Sequence, residues 1–175
     1  MAQLHTLRSL TFGYDTREDR ILGAVNAGSP DAWSCWLTRR LVLALLENAG
    51  QFMATTSPLA KRAAPEARKD VVAFEREAAV ATTAPAMSFT PTAVLRTTVA
   101  TADLAQHVSL TQKGDRIQME LRAGTGGANA NLTRPEFQRI LQMLQDEVVK
   151  AGWVSTPAVT VTNAPSDEPR GKLRH

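Results

Sequence analysis

Few side chains in this sequence have the type and spacing that catalysis or metal binding requires. The three histidines, His5, His107 and His175, are far apart along the chain, and no His-Glu-x-x-His motif occurs. His107 lies in a predicted strand, where a structural role is the simpler interpretation. No nucleophile is accompanied by a base in a catalytic pattern. We therefore expect a protein that is not an enzyme and that holds neither a cofactor nor a metal ion.

The single cysteine, Cys35, lies between Trp33 and Trp36 in the segment WSCWLT. Apolar neighbours raise the pKa of a thiol and lower its reactivity, so we expect a small buried side chain. One cysteine can form neither an intrachain disulfide nor a cysteine-based metal site.

The two tryptophans could stack on bases, as aromatic rings do in single-strand binders, or at least one could fill the core.

A glycine-rich segment, GTGGANAN at 124–131, precedes a predicted helix, and the N-terminus of a helix can bind an anion. The segment lacks the Gly-Lys-Ser/Thr of a phosphate-binding loop. The strand before it belongs to a predicted hairpin and not to a βαβ unit, which excludes a dinucleotide fingerprint. We predict a flexible loop at these residues.

Arginines at the start of two predicted helices are the clearest candidates for contact with a partner. Arg39, Arg40 and Arg134 lie in first helical turns, where the helix dipole favours anions. Arg39 and Arg134 have equivalent places in two similar segments and could form a paired cationic surface. Alternatively, each could reach a nearby carboxylate or lie along the sheet with its stem buried.

Two similar stretches of chain carry these candidates. EDRILGAVNAG at 18–28 resembles GDRIQMELRAG at 114–124, and the tripeptide Leu-Thr-Arg occurs at 37–39 and again at 132–134. In each copy, apolar runs flank a polar turn, TREDR or QKGDR, which is typical of a β-hairpin. Gly114 suits the positive φ of such a turn. The segment WSCW could add a third strand to the first copy.

A helical pattern follows each Leu-Thr-Arg segment. Thr133 and Glu136 have the spacing of a capping box. Apolar residues then recur at helical spacing, namely Phe137, Ile140, Leu141, Leu144 and Val148. The first helix contains LVLALLENAG, and both patterns end in Ala-Gly, which indicates a left-handed C-cap at Gly50 and at Gly152.

These patterns predict an α+β fold built from internally duplicated β-hairpin–helix units. One hairpin and one helix bury too little surface to be stable alone. We expect the two copies to form one antiparallel sheet with the helices packed on one face, related by a pseudo-two-fold axis. The predicted organisation has a first unit at 1–50, a connection at 51–93, a second unit at 94–155 and a mostly disordered tail at 156–175.

The connection at 51–93 is rich in Ala, Thr and Pro, as mobile linkers are. Its middle, PEARKDVVAFEREAAV, predicts a short helix near 66–80 with a narrow apolar stripe that includes Val71 and Phe74. This helix could pack on the edge of the domain or could be a docking helix for a partner. The connection is long enough for the two units to exchange between the chains of a homodimer.

Net charge and apolar content bear on nucleic-acid binding, secretion and membrane association. The net charge of +3, from 20 basic and 17 acidic residues, permits contact with nucleic acid and does not require it. The segment MAQLHTLRSL has neither the basic nor the apolar region of a secretory signal, and the apolar run LVLALL is too short to cross a bilayer. We expect a bacterial cytoplasmic protein that does not bind membranes.

The predicted pseudo-two-fold arrangement of sheet-then-helix units resembles the PUR and Whirly single-strand binders, whose unit is several antiparallel strands followed by a helix. The resemblance covers topology alone. It implies a single-stranded DNA or RNA binder, and no residue is carried over from those families. In this alternative hypothesis the contacts would be made by the sheet face and by Arg39 and Arg134, which are candidates from the sequence itself. Our leading hypothesis is instead a non-catalytic interaction protein, an adaptor, assembly factor or regulatory subunit, that presents its sheet or its central helix to a protein partner.

Overall fold

The computed structural model describes residues 3–82, 102–124 and 126–153, and it contains seven strands and four α-helices within them. The strands are β1 Gln3–Thr6, β2 Leu10–Asp15, β3 Arg20–Val25, β4 Trp33–Thr38, β5 Asp103–Lys113, β6 Arg116–Ala123 and β7 Gly126–Leu132. The helices are α1 Arg39–Thr56, α2 Pro58–Arg62, α3 Arg68–Thr82 and α4 Arg134–Lys150, with a 3-10 turn at Pro65–Ala67. The fold is therefore α+β, as predicted. The predicted tail at 156–175, His175 and the end of the connection at 83–93 lie outside the described residues.

Each predicted hairpin is the first part of a three-stranded meander that leads into a helix. The hairpins β2–β3 and β5–β6 are confirmed, with Asp15 opposite Arg20 and Lys113 opposite Arg116 at the turns. Gly114 has the expected positive φ, 61°. A third antiparallel strand follows in each case, β4 before α1 and β7 before α4. The segment WSCW thus lies in a strand.

The prediction of a flexible loop at 124–131 is wrong, because most of this segment is strand β7. Ala128 and Ala130 face the core and are 2% and 6% exposed. Glycine and asparagine are depleted in strands, which is why composition gave the wrong answer. A Cβ at Gly127 would lie 2.5 Å from the carbonyl oxygen of Leu121, so the close approach of these strands requires a residue without a side chain.

The prediction of an antiparallel sheet is wrong, because the sheet is mixed. Its strand order is β1-β7-β6-β5-β4-β3-β2, and the β4–β5 and β1–β7 pairs are parallel. The long connection from β4 to β5 allows this direction, because a parallel pair needs a crossover. The two meanders meet through the third strand of one and the first strand of the other. The strand order does not test the predicted pseudo-two-fold axis, because an axis parallel to the strands of a curled sheet would relate equivalent strands that run in the same direction, so this axis stays a prediction.

The sheet must be strongly curled, because its two edge strands are consecutive in the chain. In a flat seven-stranded sheet the edges would be roughly 29 Å apart. The chain passes from Thr6 at the end of β1 to Leu10 at the start of β2 in four Cα steps, which span at most about 15 Å. The curl also brings the His5 ring of β1 onto the Trp33 ring of β4, with the ring centroids 6.3 Å apart and the planes 17° from parallel.

Helices α1 and α4 pack with the core-facing side chains of the sheet. The capping box of α4 is confirmed, since Glu136 Oε2 accepts from the backbone N of Thr133 at 2.7 Å and Thr133 Oγ1 accepts from Glu136 N at 3.4 Å. All five residues of the predicted apolar face of α4 are 0–3% exposed. They contact core residues of the strands such as Ile117 and Leu121.

Of the two predicted helix ends, the end of α4 is confirmed and the end of α1 is wrong. Gly152 after α4 has the expected positive φ, 65°. The prediction that α1 ends at Gly50 is wrong, because the helix continues to Thr56. Burial of the next turn explains this: Met53 is 1% exposed, and Phe52 meets Phe137 edge to face. The connection predicted from residue 51 therefore begins as helix. The predicted helix near 66–80 is confirmed as α3.

Asn26 holds the closing segment between β1 and β2. It is 3% exposed with φ 50°, and its Oδ1 accepts from the backbone N of Arg8 and of Ser9 at 2.8 and 3.1 Å. Its Nδ2 donates to the carbonyl oxygen of Thr6 at 2.8 Å. One side chain therefore satisfies three backbone groups at the place where the sheet edges approach each other.

We expect Asn26→Ala to lower the free energy of unfolding by about 2–4 kcal/mol, because buried backbone groups lose their partners and alanine disfavours a positive φ. Urea denaturation measures the loss. Asn48→Ala, at an exposed position of α1, is the control and should change stability by less than about 0.5 kcal/mol. Equal stabilities for the two variants would contradict this role of Asn26.

Candidate functional site

The two tryptophans predicted as contact residues lie on opposite faces of β4, three positions apart. Trp33 is partly buried, stacks on His5 and packs against the main core. Trp36 is 8% exposed and packs with Leu22 and Ala24 on the other face. Each ring is therefore largely covered where it lies.

The predicted pairing of Arg39 with Arg134 has no counterpart in the arrangement of α4. Arg39 Nη2 donates to the carbonyl oxygen of Trp153, just beyond the C-terminal end of α4, at 3.1 Å. Arg134 is the first residue of the same helix. A 17-residue helix is about 25 Å long, so the contact of Arg39 and the position of Arg134 lie at opposite ends of α4. Arg40 is exposed at the start of α1.

Arg39 belongs to a polar cluster that holds the C-terminal end of α4 against the β2–β3 hairpin. Asp19 Oδ1 accepts from Trp153 Nε1 and from Tyr14 Oη, both at 2.9 Å. Glu147 Oε2 accepts from the backbone N of Tyr14 at 2.9 Å. The hydrogen bonds from the Trp153 indole and the Tyr14 hydroxyl lower the pKa of Asp19. The repeated Asp-Arg segment thus supplies, in its first copy, an acceptor for the helix end.

A second polar cluster, which the sequence patterns do not indicate, contains the buried His5. Its Nδ1 lies 2.7 Å from Asp31 Oδ1, and Arg8 Nη2 donates to Asp31 Oδ2 at 3.1 Å. The hydrogen bond with His5 is the main cause of a lowered pKa at Asp31. A histidine–carboxylate pair can orient a general base. Here the carboxylate is shared with Arg8 and Asn26, so the cluster ties β1 to the β3–β4 loop.

Cys35 is fully buried, as predicted, and its burial raises the pKa of the thiol to about 12, with a smaller contribution from the charge of Asp103.

Within residues 3–82, 102–124 and 126–153, no three His, Cys, Asp or Glu side chains are grouped as metal ligands would be. None of the helices in those ranges is both long and apolar enough to span a bilayer.

The candidate site is a groove among the four helices, which we call the helical groove. It encloses about 350 Å³. Its two outer walls carry Leu59 of α2 and Phe74 of α3, which are 54% and 68% exposed. The complete lining is Met53, Leu59, Phe74, Glu75, Ala78, Ala79, Thr82, Arg134, Pro135 and Gln138. The groove therefore brings together Phe74 and Arg134, two of the residues predicted from the sequence.

Val71, the other predicted docking residue, has a different environment from Phe74. It is half-buried and packs against the main core, whereas Phe74 projects into solvent. The helix thus packs on the domain through one side and exposes an aromatic ring on another. The packing of Val71 agrees with the interpretation of a packed helix, and the docking role of Phe74 stays a prediction.

An ion pair lies at the base of the helical groove. Arg134 Nη2 is 3.5 Å from Glu75 Oε2, and these side chains are 19% and 17% exposed. Arg134 also donates to the carbonyl oxygen of Met53 at 3.0 Å and to Thr56 Oγ1 at 2.9 Å. Arg134 therefore reaches a nearby carboxylate, as one of the sequence interpretations proposed.

The network continues from Glu75 into the start of α2. Glu75 Oε1 accepts from Ser57 Oγ at 2.7 Å, and Ser57 Oγ accepts from the backbone N of Ala60 at 2.9 Å. Ser57 is fully buried and is the N-cap of α2. Through these bonds the network joins the end of α1, the start of α2, the middle of α3 and the start of α4. No sequence pattern links Ser57 to Glu75, since they meet only through tertiary packing.

Comparison of the chain with protein-family models, with curated proteins and with solved structures found no match.

We expect Arg134→Ala to lower the free energy of unfolding by about 2–4 kcal/mol, because it removes three contacts and leaves the Glu75 carboxylate without its cation. Arg40→Ala is the control and should change stability by less than about 0.5 kcal/mol. In a double-mutant cycle, Arg134→Ala and Glu75→Ala together should cost less than the sum of the single changes. Additive losses measured by urea denaturation would show that the two side chains are not coupled.

The lowered pKa of Asp19 predicts an acid-sensitive contribution to stability. This contribution is fully present above the pKa of an unfolded aspartate, about 4, and is lost as the pH falls through the lower folded value. Asp19→Asn keeps a residue that tolerates the φ of 49° but removes the titrating charge. Its unfolding free energy should therefore decline less steeply with acid below about pH 4. Parallel pH profiles for variant and wild type would contradict the assignment.

Proposed function

We propose that this chain is a non-catalytic interaction protein, an adaptor, assembly factor or regulatory subunit, that binds a protein partner through the helical groove. The observation that carries the proposal is the exposure of Leu59 and Phe74 on the two walls of one apolar groove. Large exposed apolar side chains grouped around a concavity are typical of interaction sites. We place this activity in the bacterial cytoplasm, as the sequence predicts.

The groove is also held in shape by the ion-pair network beneath it. Four helix segments are fixed relative to one another by hydrogen bonds from Arg134, Glu75 and Ser57. A preformed site loses less conformational entropy on binding than one that must be assembled. This rigidity supports a binding role for the groove.

We also infer that the two strand–strand–strand–helix units arose by internal duplication. The shared order of elements and the repeated Asp-Arg-Ile and Leu-Thr-Arg segments support this inference. Within the described residues, helices α2 and α3 follow only the first unit, and both contribute to the groove. A protein-binding role would then have been acquired by the connecting segment.

Single-stranded nucleic acid is the less favoured partner. That hypothesis depends on stacking by Trp33 and Trp36 and on a surface shared by Arg39 and Arg134. The tryptophan rings are largely covered, and the contact of Arg39 and the position of Arg134 lie at opposite ends of α4. Binding of labelled single-stranded DNA or RNA that weakens steeply with salt would restore it.

Site-specific photocrosslinking tests the proposed function with a closely matched control. Phe74 and Val149 are both 68% exposed, but only Phe74 lines the groove. We expect a photoreactive phenylalanine analogue at position 74 to form a protein adduct of discrete mass in cells of the source organism. The same analogue at position 149 should not form that adduct, and Leu59→Ser should abolish it at position 74.

Adducts of equal yield at the two positions would show non-specific contact and would contradict the proposal. An adduct with the mass of two copies of the chain would assign the groove to a homodimer. No adduct at position 74 in the presence of a partner captured elsewhere would move the interaction to another surface, such as the outer face of the sheet.

A further inference from the structure

Strand β5 has an open edge over most of its length. It pairs with β4 through Asp103 and Leu104 alone. β4 then ends and the chain enters α1, whereas β5 continues to Lys113. From Ala105 onward, β5 pairs with β6 on one side and, within the described residues, with no strand on the other. The unpaired backbone groups along such an edge can bind a further strand.

An apolar groove lies beside this open edge, and we call it the edge groove. Leu41, Leu45 and Phe52 of α1 lie on one side of it, and Val108 and Leu110 of β5 lie on the other. All five side chains are half-buried, and the groove encloses about 290 Å³. Natural sheets usually cover an open edge or interrupt it with charges. The apolar sides of the edge groove favour a cover that has an apolar face.

The chain that follows α4 leaves the domain close to the edge groove. Trp153, the last of the described residues, is 4% exposed, and its carbonyl oxygen accepts from Arg39 Nη2 at 3.1 Å. Arg39 is the first residue of α1, and Leu41 of the edge groove follows two positions later. The residues 154–157 can span up to about 14 Å. The residues after them are therefore within reach of the groove.

These next residues have the pattern of a strand with one apolar face. The segment 158–162 reads AVTVT, in which Val159 and Val161 alternate with threonines. Residues branched at Cβ are enriched in strands. The segment is preceded by Pro157, and proline, which has no N–H to donate, is tolerated at the first residue of a strand.

From this placement we propose that residues 158–162 of the same chain bind the open edge of β5 as an added strand. Val159 and Val161 pack in the edge groove, and the threonines face away from it. Backbone hydrogen bonds to β5 hold the strand, and the two valines select it, as in other cases of strand addition. The edge groove is a different surface from the helical groove, so this inference does not rest on the proposed function.

The direction of the added strand follows from the position of α1. This helix begins beside Trp153, and near its other end the carbonyl oxygen of Met53 accepts from Arg134. Arg134 follows β7, whose last residue, Leu132, pairs with Ile117 next to the β5–β6 turn. A segment that leaves Trp153 and follows α1 therefore runs toward that turn, in the same direction as β5. The added strand is parallel to β5.

Hydrogen–deuterium exchange of the full chain tests the added strand. We expect Val159→Asp to speed the exchange of amides in 158–162, and of those in 106–113 that do not bond to β6, by about tenfold, because a charge is excluded from the apolar groove. Thr160→Asp is the matched control, since it places the same charge on the opposite face, and it should exchange as the wild type does. Equal exchange in the wild type and Val159→Asp, or equal changes in the two variants, would overturn the proposal.

Photocrosslinking identifies the occupant of the edge groove. A photoreactive phenylalanine analogue at Asn48, an exposed residue that lines the groove, should crosslink to residues 154–175 of its own chain. Mass spectrometry of a mixture of isotopically light and heavy protein distinguishes the same chain from a second copy. The analogue at Glu47, which is exposed on α1 outside the groove lining, should not give this crosslink. A crosslink from position 48 to residues 83–101 or to a second copy, or none to residues 154–175, would overturn the proposal.

Discussion

The ion pair between Arg134 and Glu75 sets the arrangement of the helical layer. Arg134 lies in the first turn of α4, where a cation is unfavourable for the helix dipole. The cost is offset because the same guanidinium binds the end of α1 and the carboxylate of α3. Ser57 extends the network to α2. Removing one member would leave a buried charge or a buried polar atom without its partner, so the helix ends are constrained together.

The curled sheet imposes a second constraint, at the segment between β1 and β2. Because β1 and β2 are consecutive in the chain and lie at opposite edges, the three residues between them must bridge the gap. Asn26 and Asp31 satisfy the polar groups of that bridge and of β1. The α4 helix joins the helical network through its first residue, and its last turn contacts the β2–β3 hairpin at the end of β2 opposite to the bridge.

The sequence patterns correctly predicted those features of the fold that depend on residues close together in the chain. The hairpin turns, the capping box at Thr133 and the apolar face of α4 follow from short-range spacing, and all three are present. The strand at β7 and the continuation of α1 beyond Gly50 depend on partners far along the chain, so propensity gave the wrong result. Two residues of the groove, Phe74 and Arg134, were candidates from the sequence. The contacts of Arg134 with Met53 and Glu75 could not be predicted, because they form only when distant segments fold together.

The pairing of β1 with β7 joins the first and the last of the seven strands. During synthesis on the ribosome, β1 emerges first and must wait for nearly the whole described chain before its partner exists. Until then the edges of β1 and β2 stay open to strands of other molecules. Such non-local pairing also slows folding, because a long loop must close before the contact forms. The growing chain therefore passes through a period in which β1 has been made and has no strand to pair with.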